Sequence, residues 1–156
     1  MKDRIVAGLI TPKTQNYQTH RQLTFFFNKK PRKCRSLWEV LWWALHPKME
    51  YEVLRLSYEI DDEQHIYIVD FVDQETMTVY ELKPSKYQSG AVFAAKDFAL
   101  RKWCVAHAMT LVYVDETYFK ELGRHAMIDI IMRLDMPEID KQIAINRCRW
   151  YKNEGC

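Results

Sequence analysis

Glycine is scarce in this chain, with four residues in 156. Phosphate-cradling loops of the Walker or dinucleotide-binding kind concentrate glycines within a few positions, and no such cluster is present. A G-x-S-x-G nucleophile elbow is missing as well. The four cysteines, at 34, 104, 148 and 156, include no C-x-x-C pair, so neither a disulfide framework nor a cysteine zinc site is expected. Reduced thiols in an intracellular protein are the expectation. Five histidines, at 20, 46, 65, 107 and 125, show neither HExxH nor zinc-finger spacing. No uninterrupted apolar run is long enough to span a bilayer, and the first residues lack the order of a signal peptide. Membrane insertion and secretion are therefore not expected.

Acidic residues are almost missing from the first 35 positions. Asp3 stands alone there against nine lysines and arginines, a balance of +8, whereas the remaining chain carries 14 basic and 20 acidic residues, or −6. A basic arm ahead of an acidic body suits contact with nucleic acid. Lys29, Lys30, Arg32, Lys33 and Arg35 form its densest part. Tyr17 and Phe25 to Phe27 could stack on bases or simply pack onto a core. With 48% hydrophobic and 13% aromatic residues, the chain has enough apolar surface for one folded α/β domain.

Residues 1–33 show no sustained period and read as a mostly extended arm. Ser36 then caps a helix, with Glu39 three positions later as in a capping box, and Pro47 marks its end. Trp38, Trp42 and Trp43 on that helix are expected to pack against a sheet. Alternation predicts strands over 51–60, 65–72 and 77–83, separated by polar turns. A long helix follows Gly90, with Val92, Phe93, Ala95, Phe98, Ala99, Trp103 and Ala106 at helical spacing. A fourth strand covers 109–114, Asp115 caps a short helix ending at Gly123, and further helices span 124–134 and 138–152. A basic cluster at Lys141, Arg147, Arg149 and Lys152 either extends a binding surface or favours its helix end.

The chemistry concentrates in Tyr67-Ile-Val-Asp70-Phe71 and Tyr80-Glu81-Leu82-Lys83-Pro84. Residues two apart on a strand share a face, so Glu81 and Lys83 point together. With a four-residue loop at Asp73 to Thr76, Asp70 opposes Val79 and Glu81 opposes Ile68, on the same face as Asp70. Two carboxylates suit a hard cation such as Mg²⁺, which keeps several waters beside one or two acids. A neighbouring ammonium can orient a water or stabilise charge on a phosphate. The competing reading is a solvated Glu–Lys pair of little consequence, with Glu39 serving its helix cap alone.

The αβββαβ order, with Asp70, Glu81-Leu82-Lys83 and the earlier helical Glu39, resembles the PD-(D/E)XK nuclease superfamily. Three stretches carry a narrower resemblance to small phage head-completion-type nucleases and TnsA-like transposase endonucleases. These are Arg35-Ser-Leu-Trp-Glu39, the two strand motifs, and Ala94-Ala-Lys to Glu121-Leu-Gly123. The resemblance covers residues 34–123, leaving a basic arm at 1–33 and a helical extension of the same domain at 124–156. It implies a restriction-endonuclease-like core with a mixed four-stranded sheet. It also implies Glu39, Asp70, Glu81 and Lys83 as catalytic residues. Asp70, Glu81 and the Leu82 carbonyl would be metal ligands, with Lys96 on the following helix meeting phosphates beside the arm.

The activity implied is Mg²⁺-dependent endonucleolytic cleavage of DNA, with Mn²⁺ able to substitute, by a phage or mobile-element protein selective for DNA structure or non-specific. A homodimer, or a phage or transposase partner, fits that setting, in the host cytoplasm or a virion. A non-enzymatic head-completion or DNA-end protein keeping the fold, and a transposase subunit active only with its partner, stand as alternatives. Val69 occupies the position of the family's namesake proline, and the Gln–Tyr motif of exonuclease-like branches does not follow Lys83.

Overall fold

The structure, a computed structural model, describes residues 22–149. Leu23–Phe27 (β1) and Lys30–Cys34 (β2) form an antiparallel hairpin, Phe27 pairing with Lys30. The linking Asn28 and Lys29 have φ of 52° and 66°, the paired left-handed conformation of a type I′ turn, whose twist suits a two-residue hairpin. The first helix, Leu37–Leu45 (α1), begins at Ser36, whose Oγ accepts the Glu39 N–H at 3.2 Å. Glu39 reaches back to the Arg35 N–H at 2.8 Å, so the expected capping box forms with its return bond one residue upstream.

Next come Glu50–Tyr51 (β3), Arg55–Ile60 (β4), Glu63–Ile68 (β5), Phe71–Asp73 (β6) and Thr78–Leu82 (β7). The long helix is Ala91–Ala106 (α2), followed by Thr110–Val114 (β8). Glu116–Leu122 (α3), Arg124–Arg133 (α4) and Glu138–Arg149 (α5) complete the described chain. Asp115 caps α3 by accepting the Thr117 N–H at 2.9 Å. Gly123, at φ 87°, turns the chain sharply from α3 into α4 in a conformation that suits glycine.

The fold is thus mixed α/β, with five helices among the described residues and a four-stranded mixed sheet in the order β3-β6-β7-β8. β7 and β8 are parallel through the α2 crossover, and the other pairs are antiparallel. The first two expected strands are each divided. β4 and β5 form a separate hairpin, joined to the sheet by bonds from Glu52 N–H to the Asp70 carbonyl and from Val69 N–H to the Leu54 carbonyl, both 2.9 Å.

The division is a bulge. Tyr51 pairs with Phe71 and Arg55 with Ile68, so four steps on one strand oppose three on the other. Glu52, at φ 55°, sits in the longer stretch. Side-chain alternation shifts here too. Phe71 joins the cluster under α1, whereas Tyr67, Val69 and Val72 belong to the cluster under α2. The Val69–Asp70 step therefore exchanges the faces on which odd and even residues lie.

Two apolar clusters flank the sheet. The larger packs β1, β2, α1 and α3 to α5 around Phe71 and Val114, with Trp38 stacked on Phe119 at 4.4 Å between ring centres. The smaller lies between the other face and α2, through Leu100 and Cys104. One expectation is corrected here. Residues 23–33 are not an arm outside the fold, because Leu23 and Phe25 are 0% and 1% exposed and fill the larger cluster; residues 1–21 lie outside the described residues. On α2, Phe98 is 69% exposed. No described helix is long and apolar enough to cross a membrane.

Candidate functional site

β6 and β7 carry Asp70 and Glu81 to the same place. The observed register pairs Phe71 with Tyr80 and Val72 with Val79, which sets Asp70 beside Glu81. The expected pairing was two residues off, because the loop is Gln74 to Met77 rather than Asp73 to Thr76. An error of two keeps the face, so the two acids still meet. The Asp70 N–H donates to Glu81 Oε1 at 2.7 Å, and the Leu82 N–H donates to Asp70 Oδ2 at 2.9 Å. Asp70 Oδ1 has no hydrogen-bond partner among the described residues.

Glu81 is only 2% exposed, and its Oε2 accepts the hydroxyl of Tyr67. Tyr67 had no place in the expected site. Strict alternation would present Ile68 there instead, and the face exchange at Val69–Asp70 is what brings Tyr67 in. Only the aromatic residue three positions before the aspartate signalled it in the sequence. Glu39, 9% exposed, accepts the Tyr51 hydroxyl at 2.6 Å through the same Oε1 that caps Arg35. It makes no bond to Asp70, yet its charge reaches that group.

The acids of the cluster act on one another through burial and charge. Burial pushes the Asp70 carboxyl well above its usual range, and the charges of Glu81 and then Glu39 add to the effect. The Leu82 N–H and the Lys83 ammonium oppose it. Burial also raises Glu81, against the hydrogen bonds from Tyr67 and Asp70 and the charges of Lys83 and Lys96. Lys83 makes no direct ion pair with either acid among the described residues. Its N–H continues the ladder to the Val114 carbonyl at 2.9 Å, and its carbonyl accepts from Gln88 Nε2 at 2.9 Å. Just beyond it, the Ser85 N–H and Oγ both donate to Glu116, at 2.8 and 2.5 Å, holding that carboxyl down at about 2. Lys96 reaches in from α2, its ammonium 5.3 Å from the Tyr67 ring centre and 5.7 Å from that of Tyr58.

The structure thus joins Asp70 to Glu81 by a hydrogen bond, while Glu39 and Lys83 act on Asp70, and Lys83 and Lys96 on Glu81, through their charges. The basic residues between 29 and 35 are used in different ways. Lys29, Lys30 and Lys33 are exposed. Arg32 lies 4.3 Å from the ring centres of both Phe27 and Trp43 and donates to the Pro47 carbonyl at 2.9 Å, so its guanidinium is used in packing. Arg35 pairs with Glu52 at 3.0 Å.

Among the described residues, no three His, Cys, Asp or Glu side chains are grouped so as to hold a metal ion. The donor set that does converge is two carboxylates, both raised by burial, and Asp70 also by the charge of Glu81. It fits a hard divalent cation that completes its shell with other oxygens, and not one that demands a full protein cage. Such a pair of acids beside two ammonium groups can bind a cation and a phosphate together. Comparison with models of known protein families, with curated proteins and with solved structures finds no match to this chain.

Proposed function

We propose that the chain is a Mg²⁺-dependent DNA endonuclease of the PD-(D/E)XK kind, with Asp70, Glu81, Lys83 and Glu39 as its site. One observation carries the reading. The Asp70 N–H donates to Glu81 beside the apolar cluster of Val69, Val72 and Val79, and the charges of Glu39 and Lys83 act on Asp70. Two neighbouring carboxylates at buried positions cost stability that their hydrogen bonds offset only in part, and a bound cation would offset the rest. The order supports it too, with a helix before three antiparallel passes and a helix and parallel strand after them.

Asp70 and Glu81 would hold the cation, joined by the Leu82 carbonyl. When bound, Mg²⁺ supplies charge stabilisation to phosphate oxygens and acidity to water. Lys83 would orient the attacking water and offset the negative charge that develops as the water loses its proton to solvent, while Lys96 steadies the phosphate. Glu39, tied to Tyr51 and Arg35, tunes Asp70 by its charge. Exposed Lys29, Lys30 and Lys33 supply sequence-independent phosphate contacts. Cleavage then follows DNA structure, such as branches or ends, more than base sequence.

A second reading draws on Glu81, both of whose oxygens already have donors. The network would then be structural, in a non-enzymatic DNA-end protein or a subunit that acts only with a transposase or phage partner.

The test incubates the protein with supercoiled and branched DNA in Mg²⁺, Mn²⁺ or EDTA, beside Lys83→Ala and Asp70→Asn. We expect metal-dependent cleavage, reduced about 100- to 1,000-fold or more in either variant, with DNA binding intact. A folded wild-type protein that binds DNA but leaves both substrates uncut would favour the second reading.

A further inference from the structure

Tyr67 is 8% exposed, and its hydroxyl is spent on Glu81 Oε2. The other oxygen of Glu81 accepts a backbone N–H, that of Asp70, at 2.7 Å. Glu81 is thus gripped at both oxygens, by a main-chain donor that comes with the fold and by one side chain that does not. The ring of Tyr67 has a second use, since the Lys96 ammonium lies 5.3 Å from its centre, within cation–π range. Tyr58 lies edge-on to the same ring at 6.4 Å and is also within reach of Lys96. One residue therefore touches a carboxylate through its hydroxyl and seats an ammonium through its face.

We propose that Tyr67 is a positioning residue, whose hydroxyl fixes the Glu81 carboxylate in its cation-binding orientation while its ring seats Lys96 beside it. The inference rests on the nuclease reading of Asp70 and Glu81 and adds a residue outside the Asp and Glu-x-Lys pattern. Physically, a carboxylate free to rotate must lose that freedom each time it takes a cation, whereas one held by a donor has lost it already. Tyr67 reaches Glu81 only because side-chain alternation is exchanged at Val69–Asp70, so the irregular step and the hydroxyl belong to one arrangement.

The experiment compares the full chain with Tyr67→Phe, which removes the hydroxyl and keeps the ring. Mn²⁺ binding is read by loss of the free-ion electron paramagnetic resonance signal, without DNA. DNA binding is read separately in EDTA. We expect the variant to bind Mn²⁺ about 10- to 100-fold more weakly, and to need correspondingly more Mn²⁺ for half-maximal cleavage. Its DNA affinity in EDTA should match the wild type, because Lys96 keeps its seat. A purely structural tyrosine would lower thermal stability and leave Mn²⁺ affinity alone.

The Mn²⁺-induced rise in Tm gives the same comparison if the variant is destabilised, since each protein is measured against itself. Equal Mn²⁺ affinity in variant and wild type overturns the role of Tyr67 and leaves the site reading standing. A wild-type protein that binds no Mn²⁺ overturns the site reading, and the role of Tyr67 falls with it.

Discussion

At the scale of single residues, the dominant fact is the cost of keeping Asp70 and Glu81 side by side. Burial first, and the charge of Glu81 next, raise the Asp70 carboxyl in the folded state. Between its unfolded and folded pKa values the native protein therefore holds a proton that the unfolded chain releases. Stability from this source is present at acid pH and is lost as pH rises through the folded value. Asp70→Asn removes the charge and keeps an oxygen for the Leu82 N–H. The variant should thus melt above the wild type at neutral pH without divalent cation, by about 2–4 °C for each kcal/mol relieved. The gap should close as pH falls toward the ordinary carboxylate range. Adding Mg²⁺ should raise the Tm of the wild type and leave that of Asp70→Asn unchanged. Thermal melts across pH, with and without Mg²⁺, check both statements. A wild type more stable than Asp70→Asn at neutral pH would refute the first.

At the scale of elements, the β1–β2 hairpin is core rather than appendage. Leu23 is fully buried, so Leu23→Ala should cost about 2–5 kcal/mol in urea denaturation. An unpaired arm would lose nothing measurable. The β6–β7 loop gives an independent check of local strain. Met77 is 44% exposed and sits at φ 54°, a conformation that penalises any side chain with a Cβ. Met77→Gly should therefore stabilise the protein by about 1 kcal/mol. The backbone bond from Thr110 N–H to the Met77 carbonyl, 2.9 Å, remains available to glycine. The bulge at Glu52 is the element that matters most for the site. Its N–H binds the Asp70 carbonyl, and its carboxylate pairs with Arg35 next to the Glu39 cap. A single extra residue thus ties the acid on α1 to the acid at the head of β6.

For the molecule as a whole, charge asymmetry gives a prediction that separates binding from folding. Lys29, Lys30 and Lys33 are exposed, so replacing them with alanine should flatten the salt dependence of DNA binding, the slope falling by about 0.9 for each phosphate no longer neutralised. Arg32 belongs to the same basic run but is sandwiched by Phe27 and Trp43. Arg32→Ala should instead lower stability by about 0.5–2 kcal/mol and leave the slope nearly unchanged. Fluorescence-anisotropy titrations over a range of salt, paired with melts, read the two effects separately. A slope that drops equally in Arg32→Ala would place its guanidinium on DNA after all.

Much of this was legible in the amino-acid order because it depends on near neighbours. Ser36 with Glu39, Asp115 before a short helix and Gly123 after it act within a turn of chain, and the helix limits follow from them. Side-chain parity brings Asp70 to Glu81 even when the pairing is shifted by two residues. The hairpin at 23–34 was hidden because three consecutive phenylalanines, Phe25 to Phe27, blur the alternation that marks a strand. Whether Arg32 meets solvent or two aromatic rings depends on where α1 lies, and that is set by packing. The bulge at Glu52 and the face exchange at Val69–Asp70 are compromises between two strands of unequal length. No property of either strand alone records them. That Asp70 and Glu81 meet follows from amino-acid order, through the two-residue period of a strand. That Tyr67 and Lys96 join them is a product of folding in three dimensions, because side chains distant along the chain meet only once the sheet has bent and α2 has closed over it.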